Sequence, residues 1–325
     1  MDLKAPFPWF GGKKRVAPLI WERFGNCPNY VEPFFGSGAV LLQRPHEAKT
    51  ETVNDADCYL SNFWRALASD PEGVAQAADW PVNEADLLAR HKWLLAQEDF
   101  RAQMKTDPHF YDVKIAGWWV WGQCSWIGAG FCHTESAQMP HLGDAGRGIN
   151  RRLPHLGNAG RGINRRLPHL GNAGQAALPS LSGIYGYFQE LSDRLRKVRV
   201  CCGDWSRVLG DSVTHKHGIT GIFLDPPYAS TDRCQTYAVD STAVAHDVRE
   251  WAIINGDNPL LRIALCGYEG EHNMPESWER VVWKAAGGFG SQANGQGREN
   301  CSKERIYFSP HCIKNSLFVK GGFNE

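Results

Sequence analysis

The chain of 325 residues carries 35 basic and 35 acidic side chains with 42% hydrophobic content, the composition of a soluble globular protein with room for one domain plus a sizeable insertion, or for two domains. A formal net charge of zero excludes global basicity as a ground for polyanion binding, so any such contact must come from local patches. No apolar run reaches membrane-spanning length, and Met1-Asp2-Leu3-Lys4 lacks the pattern of a secretion signal; a cytoplasmic location without membrane contact is expected.

The opening segment Pro6-Phe7-Pro8-Trp9-Phe10-Gly11-Gly12-Lys13-Lys14-Arg15 joins an aromatic cluster, a glycine pair and a basic triplet, ahead of a helical pattern from Val16 to Phe24. The glycine pair lets backbone approach a ligand closely, and Lys13, just before a helix, can meet a carboxylate or phosphate. A glycine turn with solvated lysines accounts for the same residues. Asn29 to Leu42 then reads as strand, glycine loop and helix, with Glu32, Pro33, Phe34, Phe35, Gly36, Ser37 and Gly38 forming the loop and Ala39 to Leu42 opening an apolar helix face. Leu41 occupies the third glycine position of the dinucleotide fingerprint, which disfavours a nicotinamide cofactor.

Thr52 to Asp55 reads as a second strand ending in a carboxylate, ahead of an amphipathic helix around Leu60, Phe63, Trp64 and Leu67. An acid at that place can receive the two hydroxyls of a ribose, or can cap the helix.

From residue 66 to 191 the composition changes. Glu84 to Phe100 reads as one helix, and the run Trp118-Trp119-Val120-Trp121 reads as core packing in preference to base stacking. A 14-residue unit beginning at Met139 recurs at 153–166 and, in its first half, at 167–174, too rich in Gly and Pro for a helix. Residues 139–174 hold Arg147, Arg151, Arg152, Arg161, Arg165 and Arg166 against one acid, Asp144. Such a loop suits phosphate contacts, and a tandem duplication in a tolerant surface loop is the alternative. Cys124, Cys132 and His133 are close in sequence but lack a fourth ligand. No C-x-x-C pair occurs among the ten cysteines, so reduced thiols and no metal are expected.

After a helix at Tyr185 to Arg196, Val198 to Cys202 is another strand, with Asp204 just beyond it. Gly221 to Leu224 is an apolar strand that ends in Asp225-Pro226-Pro227-Tyr228; two prolines cannot continue a ladder, so Asp225 stands at the strand's carboxyl end, where open α/β sheets place their chemistry. A helix at Ala243 to Ile254 and strands at Leu260 to Gly267, Arg280 to Trp283 and Glu304 to Phe308 complete an alternation that predicts a mostly parallel sheet covered by helices, antiparallel towards its end.

The stretches Trp9-Phe10-Gly11-Gly12-Lys13, Val31 to Gly38, Asn54-Asp55-Ala56-Asp57 and Asp225-Pro226-Pro227-Tyr228, in that order, resemble the S-adenosylmethionine-dependent amino-methyltransferases, specifically the DNA adenine methylase (Dam-like, D12 class) family of orphan or phage type. The resemblance covers roughly the first 65 and last 130 residues. It implies a Rossmann-like methyltransferase sheet with one antiparallel strand, formed by 1–65 and 192–325. Residues 66–191 become a largely helical and loop-rich target-recognition insertion.

The resemblance also implies that Trp9, Phe10, Gly11, Gly12, Lys13 and the Glu32 to Gly38 loop wrap the cofactor, that Asp55 holds the ribose, and that Asp204 lines the adenosine side. Asp225 and Pro226 would accept hydrogen bonds from an exocyclic amine, Pro227 would stiffen the turn, and Tyr228 would stack on a base flipped out of double-stranded DNA. The product pair is N6-methyladenine and S-adenosylhomocysteine. Lys14 and the six repeat arginines are the expected DNA contacts. Cytosine-N4 methylation and a non-catalytic DNA-binding module that keeps the fold remain open. The Arg-x-Asn hairpin of GATC-methylating members is absent, with Trp121 to Gly128 and the repeat in its place, so the recognised sequence does not carry over.

Overall fold

The structure is a computed structural model that describes residues 3–9, 12–47, 49–126, 131–132, 183–228, 242–283 and 303–314. In chain order the elements are α1 (Ala17–Phe24), β1 (Asn29–Glu32), β2 (Thr50–Asp55), α2 (Cys58–Ser69), α3 (Pro71–Ala78), α4 (Glu84–Leu95), α5 (Glu98–Thr106), α6 (Val113–Ser125), α7 (Gly183–Leu195), β3 (Val198–Cys202), β4 (Thr220–Leu224), α8 (Thr242–Asn255), β5 (Leu261–Tyr268), β6 (Glu279–Val282) and β7 (Glu304–Phe308). The seven strands form one sheet in the order β3-β2-β1-β4-β5-β7-β6. Strands β3, β2, β1, β4 and β5 pair in parallel, and β7 runs antiparallel to both its neighbours. This is the expected mostly parallel sheet with one antiparallel strand, the architecture of a Rossmann-like methyltransferase fold.

Side-chain alternation explains why both faces are covered. Along β4, Ile222 and Leu224 join Val248 and Ala252 of α8 in one apolar cluster, while Phe223 belongs to the cluster on the other face. Strand β5 divides in the same way: Leu261, Ile263 and Leu265 share the α8 face, and Ala264 and Cys266 the other. That second cluster continues through α2, α3, α6 and α7, so the helices on either side of residue 66 share one core. Trp119 and Trp121 are buried in it, as expected for core packing. Trp118 and Trp121 hold Arg90 between them, its guanidinium 4.8 and 4.3 Å from their ring centres.

Two expected elements differ. Ala39 to Leu42 does not begin an α-helix; only a short 3₁₀ turn, Leu41–Gln43, forms before Arg44 leaves helical geometry. Pro45 follows, and a proline disfavours helical backbone at the residue before it. The predicted helix Glu84 to Phe100 is broken at Ala96 and Gln97 into α4 and α5, which lets Phe100 stack on Tyr59 with ring centres 5.3 Å apart. Among the described residues no helix is long and apolar enough to cross a membrane.

Candidate functional site

The sheet order reverses direction between β1 and β4, and the loops at their carboxyl ends open a cleft at that switch point. Its cavity volume is about 140 Å³. A single water needs only about 10–15 Å³ by the same measure, so this is a ligand cleft and not a packing defect. The four separated sequence stretches meet there: Trp9, Gly12, Lys13, Glu32, Pro33, Phe34, Phe35, Gly36, Ser37, Asp55, Asp204, Asp225 and Pro227 all line it. Pro226 and Tyr228 sit beside the cleft and are not part of its lining, nor is Gly38. Phe10, Gly11 and the six repeat arginines lie outside the described residues, and Lys14 is exposed.

The glycine loop is held by its neighbours. Gly36 and Gly38 adopt φ of 50° and 70°, the left-handed region that costs glycine least. A Cβ on Gly36 would lie 2.5 Å from the Trp9 indole nitrogen, so the loop and the aromatic entry segment interlock. Trp64 of α2 donates its indole N–H to the Gly36 carbonyl at 3.1 Å, and Phe7 packs edge-on against Trp119 of α6 beneath Trp9. Asn54 fastens the strand ends together: its amide donates to the carbonyls of Pro33 and Gly203, after β1 and β3, at 3.1 and 3.0 Å.

Asp55 sits at the end of β2 and accepts two backbone amides, Gly36 N–H on Oδ2 at 3.1 Å and Asp57 N–H on Oδ1 at 3.0 Å. The cap of α2 is Asp57, whose carboxylate accepts from Tyr59 N–H at 2.8 Å, so the capping role considered for Asp55 falls two residues later. Each Asp55 oxygen keeps a free lone pair for a further donor. Burial, opposed by the two amides, moves its carboxyl up to about 7. Glu32 is more deeply enclosed; burial pushes its carboxyl well above the usual range although the Tyr30 hydroxyl donates to it at 2.8 Å. Asp204 is exposed and caps the 3₁₀ turn Trp205–Val208 by accepting from Ser206 N–H. That turn presents the Trp205 ring to Phe34, stacked at 6.3 Å and 26°.

At the end of β4, Lys13 and Asp225 form an ion pair, Nζ to Oδ2 2.9 Å, with the Lys13 side chain only 5% exposed. Burial works against the ammonium, but Asp225 and Glu304 outweigh it and raise the Lys13 pKa. The Tyr228 hydroxyl donates to Glu304 Oε2 at 2.8 Å and lies 3.3 Å from Asp225 Oδ1. Its ring meets Tyr268 edge-on at 4.5 Å, with the Lys13 ammonium 5.5 Å from its centre. Burial raises the Glu304 carboxyl, and Lys13 opposes the shift.

Sequence reasoning did not single out Asn54, Trp205, Phe223, Val244 or Glu304 as site residues. Glu304 carried a usable signal, an acid opening the otherwise buried strand Glu304-Arg305-Ile306-Tyr307-Phe308, since a buried charge requires a partner. Among the described residues no group of three or more His, Cys, Asp or Glu side chains is arranged to hold a metal ion.

Residues 9–113 match the family model for the D12 class N6 adenine-specific DNA methyltransferase. Over that amino-terminal stretch, and over no more of the chain, the likeness is to the D12 class. The match runs through α6 entry at Val113, so it takes in helices α3 to α5 that the sequence resemblance had left aside, and it ends before Asp225. A similar protein is the Type II methyltransferase M.MjaIII of Methanocaldococcus jannaschii, 30% identical over 84 residues that make up 23% of this chain. The chain spans 29% of the length of that relative.

Whether the cleft suits the family's cofactor can be asked of its own atoms. Asn54 Oδ1 is buried without a hydrogen-bond partner at the cleft wall, Asp55 keeps two open lone pairs, and Phe34 with Trp205 offers a flat apolar surface. These fit a ligand with hydroxyl or amine donors and an aromatic base.

Proposed function

We propose that this protein is a DNA adenine-N6 methyltransferase that acts on double-stranded DNA in the compartment that holds it. The observation that carries the reading is that Asp55 and Asp225, at the carboxyl ends of β2 and β4 on either side of β1, line one cleft, with a D12 class match over residues 9–113. S-adenosylmethionine, when bound, supplies an electrophilic methyl group. Asp55 would accept the ribose hydroxyls, and Phe34, Trp205 and Asp204 would flank the purine. Trp9, Lys13 and the Glu32 to Gly38 loop would enclose the methionine end.

An exocyclic amine on a nucleobase is a poor nucleophile, because its lone pair is delocalised into the ring. The Asp225 carboxylate and the Pro226 carbonyl would accept its two N–H groups and hold the lone pair towards the methyl donor. Pro226 and Pro227 keep that turn stiff, so the acceptors are in place before the substrate arrives. The base must leave the helix stack to reach them, and Tyr228 would then support it. The catalytic unit is assigned to 1–65 and 192–325, with 66–191 as the segment that selects the target.

Transfer of labelled methyl from S-adenosylmethionine to DNA, followed by nucleoside analysis, tests the reading. N6-methyladenine is expected from the wild-type protein, and Asp225→Ala should lose transfer at least about 100-fold while keeping cofactor binding within about tenfold. Undiminished transfer by that variant would remove Asp225 from the chemistry. N4-methylcytosine would redirect the reading to the other amine, and cofactor binding without turnover on any DNA would indicate a non-catalytic module.

A further inference from the structure

Glu304 stands outside all four sequence stretches and outside the matched residues 9–113. Antiparallel pairing of β5 with β7 sets it opposite Tyr268, and so beside Tyr228, at the cleft's catalytic end. Its side chain is buried, 5% exposed, and accepts the Tyr228 hydroxyl at 2.8 Å.

A phenol has one proton to donate, and two carboxylates compete for this one. Glu304 holds it at 2.8 Å, while Asp225 Oδ1 lies 3.3 Å away, at the long end of hydrogen-bond distance. Asp225 already takes the Lys13 ammonium on Oδ2. Each further donor would fill a lone pair and draw off charge that the incoming amine requires. Without Glu304, the acceptor left within hydrogen-bond reach of the Tyr228 hydroxyl among the described residues is Asp225 Oδ1.

We propose that Glu304 is a positioning residue: it holds the Tyr228 hydroxyl off Asp225 and so keeps Asp225 Oδ1 open to the target amine. The inference rests on the methyltransferase reading above for its consequence, but its structural half stands alone. Glu304→Ala should lower kcat roughly 10- to 100-fold with little change in KM for S-adenosylmethionine. Glu304→Gln, whose amide oxygen still accepts from the phenol, should stay within about threefold of wild type. In a Tyr228→Phe background, where there is no hydroxyl to misplace, Glu304→Ala should cost less than about threefold. A simple loss of packing would instead give the same fractional loss in both backgrounds, and that result overturns the proposal. Glu304→Leu, expected to behave as the alanine variant, serves if Glu304→Ala does not fold.

A crystal structure of Glu304→Ala gives a readout free of activity. The Tyr228 hydroxyl is expected to close to about 2.8 Å on Asp225 Oδ1. A hydroxyl that stays in place or turns elsewhere defeats the positioning role, whatever the enzyme's substrate. If wild-type protein transfers no methyl group to DNA, the functional reading fails, and this measurement still decides the inference.

Discussion

Lys13 Nζ lies 2.9 Å from Asp225 Oδ2, joining the amino-terminal entry segment to the end of β4. The pair is unequal, because Lys13 is enclosed and Asp225 faces the cleft with 20% of its side chain exposed. Glu304 adds a second carboxylate near the same ammonium, so among the described residues Lys13 faces two acids there.

Removing the cation should therefore harm folding more than removing cation and anion together. Lys13→Met leaves Asp225 and Glu304 without that ammonium. A fully buried broken pair costs about 3–5 kcal/mol, and exposure of Asp225 reduces the expectation here to about 1–3 kcal/mol. The double variant Lys13→Met/Asp225→Asn should recover part of that loss in denaturant titrations. A double variant less stable than Lys13→Met alone would show that the ion pair is not what Lys13 contributes.

The Asp55 carboxyl, raised to about 7 by burial, gives the cleft a pH dependence. Its ionised form is the better acceptor for two hydroxyls. Cofactor affinity should therefore rise roughly tenfold from pH 6 to pH 8, as the ionised fraction climbs. For stability the sign is opposite. An acid whose folded pKa is raised binds more protons folded than unfolded, so its contribution is full below the unfolded value near 4. It is lost as pH climbs through about 7. The Cys202 thiol, whose sulfur lies 3.8 Å from that of Cys58 and whose pKa is lowered to about 7 chiefly by that contact, titrates in the same range. Comparison with Asp55→Asn isolates the carboxyl: calorimetric affinities for that variant should be flat between pH 6 and 8, and a slope as steep as wild type would assign the dependence elsewhere.

Much of this geometry was legible in the sequence because each stretch carried its own local reason. Asp225 had two prolines that stop a ladder, Asp55 ended a strand ahead of an amphipathic helix, and the glycines at 36 and 38 marked backbone that other residues resist. Ala39 to Leu42 misled because its apolar run has helical character, while the deciding residue, Pro45, lies beyond it. Glu304, Tyr268 and Trp205 were not legible as site residues for a different reason. Their meaning arises only when β7 inserts beside β5 and the turn after β3 swings towards β1. Such neighbours come from sheet order, which no local pattern carries. The shared core of α2, α3, α6 and α7 was hidden likewise, since a composition change at residue 66 does not reveal that Trp119 packs under Trp9.

Gly36 offers a test of the interlock between the entry segment and the glycine loop. Alanine there faces two costs: left-handed backbone at φ 50°, and a Cβ 2.5 Å from the Trp9 indole nitrogen. Strain of this kind costs of order 1–3 kcal/mol, so Gly36→Ala should weaken cofactor binding by about tenfold or more as Trp9 is displaced. Pairing it with Trp9→Ala, which removes the clash but not the backbone strain, should recover stability relative to Gly36→Ala alone. No recovery in thermal melts would leave backbone strain as the whole cost.

The arginine-rich repeat at 139–174 lies outside the described residues, and its six arginines form a strongly basic segment in a chain of zero net charge. If they meet phosphates, deleting 139–174 should weaken DNA binding in low salt and flatten its salt dependence. Each lost contact removes roughly 0.9 from the slope of log K against log salt, so losing all six would remove about 5. Cofactor affinity should be unchanged, because among the described residues the cleft is lined from 9–57, 203–227 and 244. Replacing the six arginines with glutamine at full length separates charge from loop length. Loss of DNA affinity in both variants assigns the effect to charge, and loss only in the deletion assigns it to the span of chain. An unchanged salt slope in both would make the repeat a spacer and leave DNA contact to Lys14 and other basic residues near the cleft.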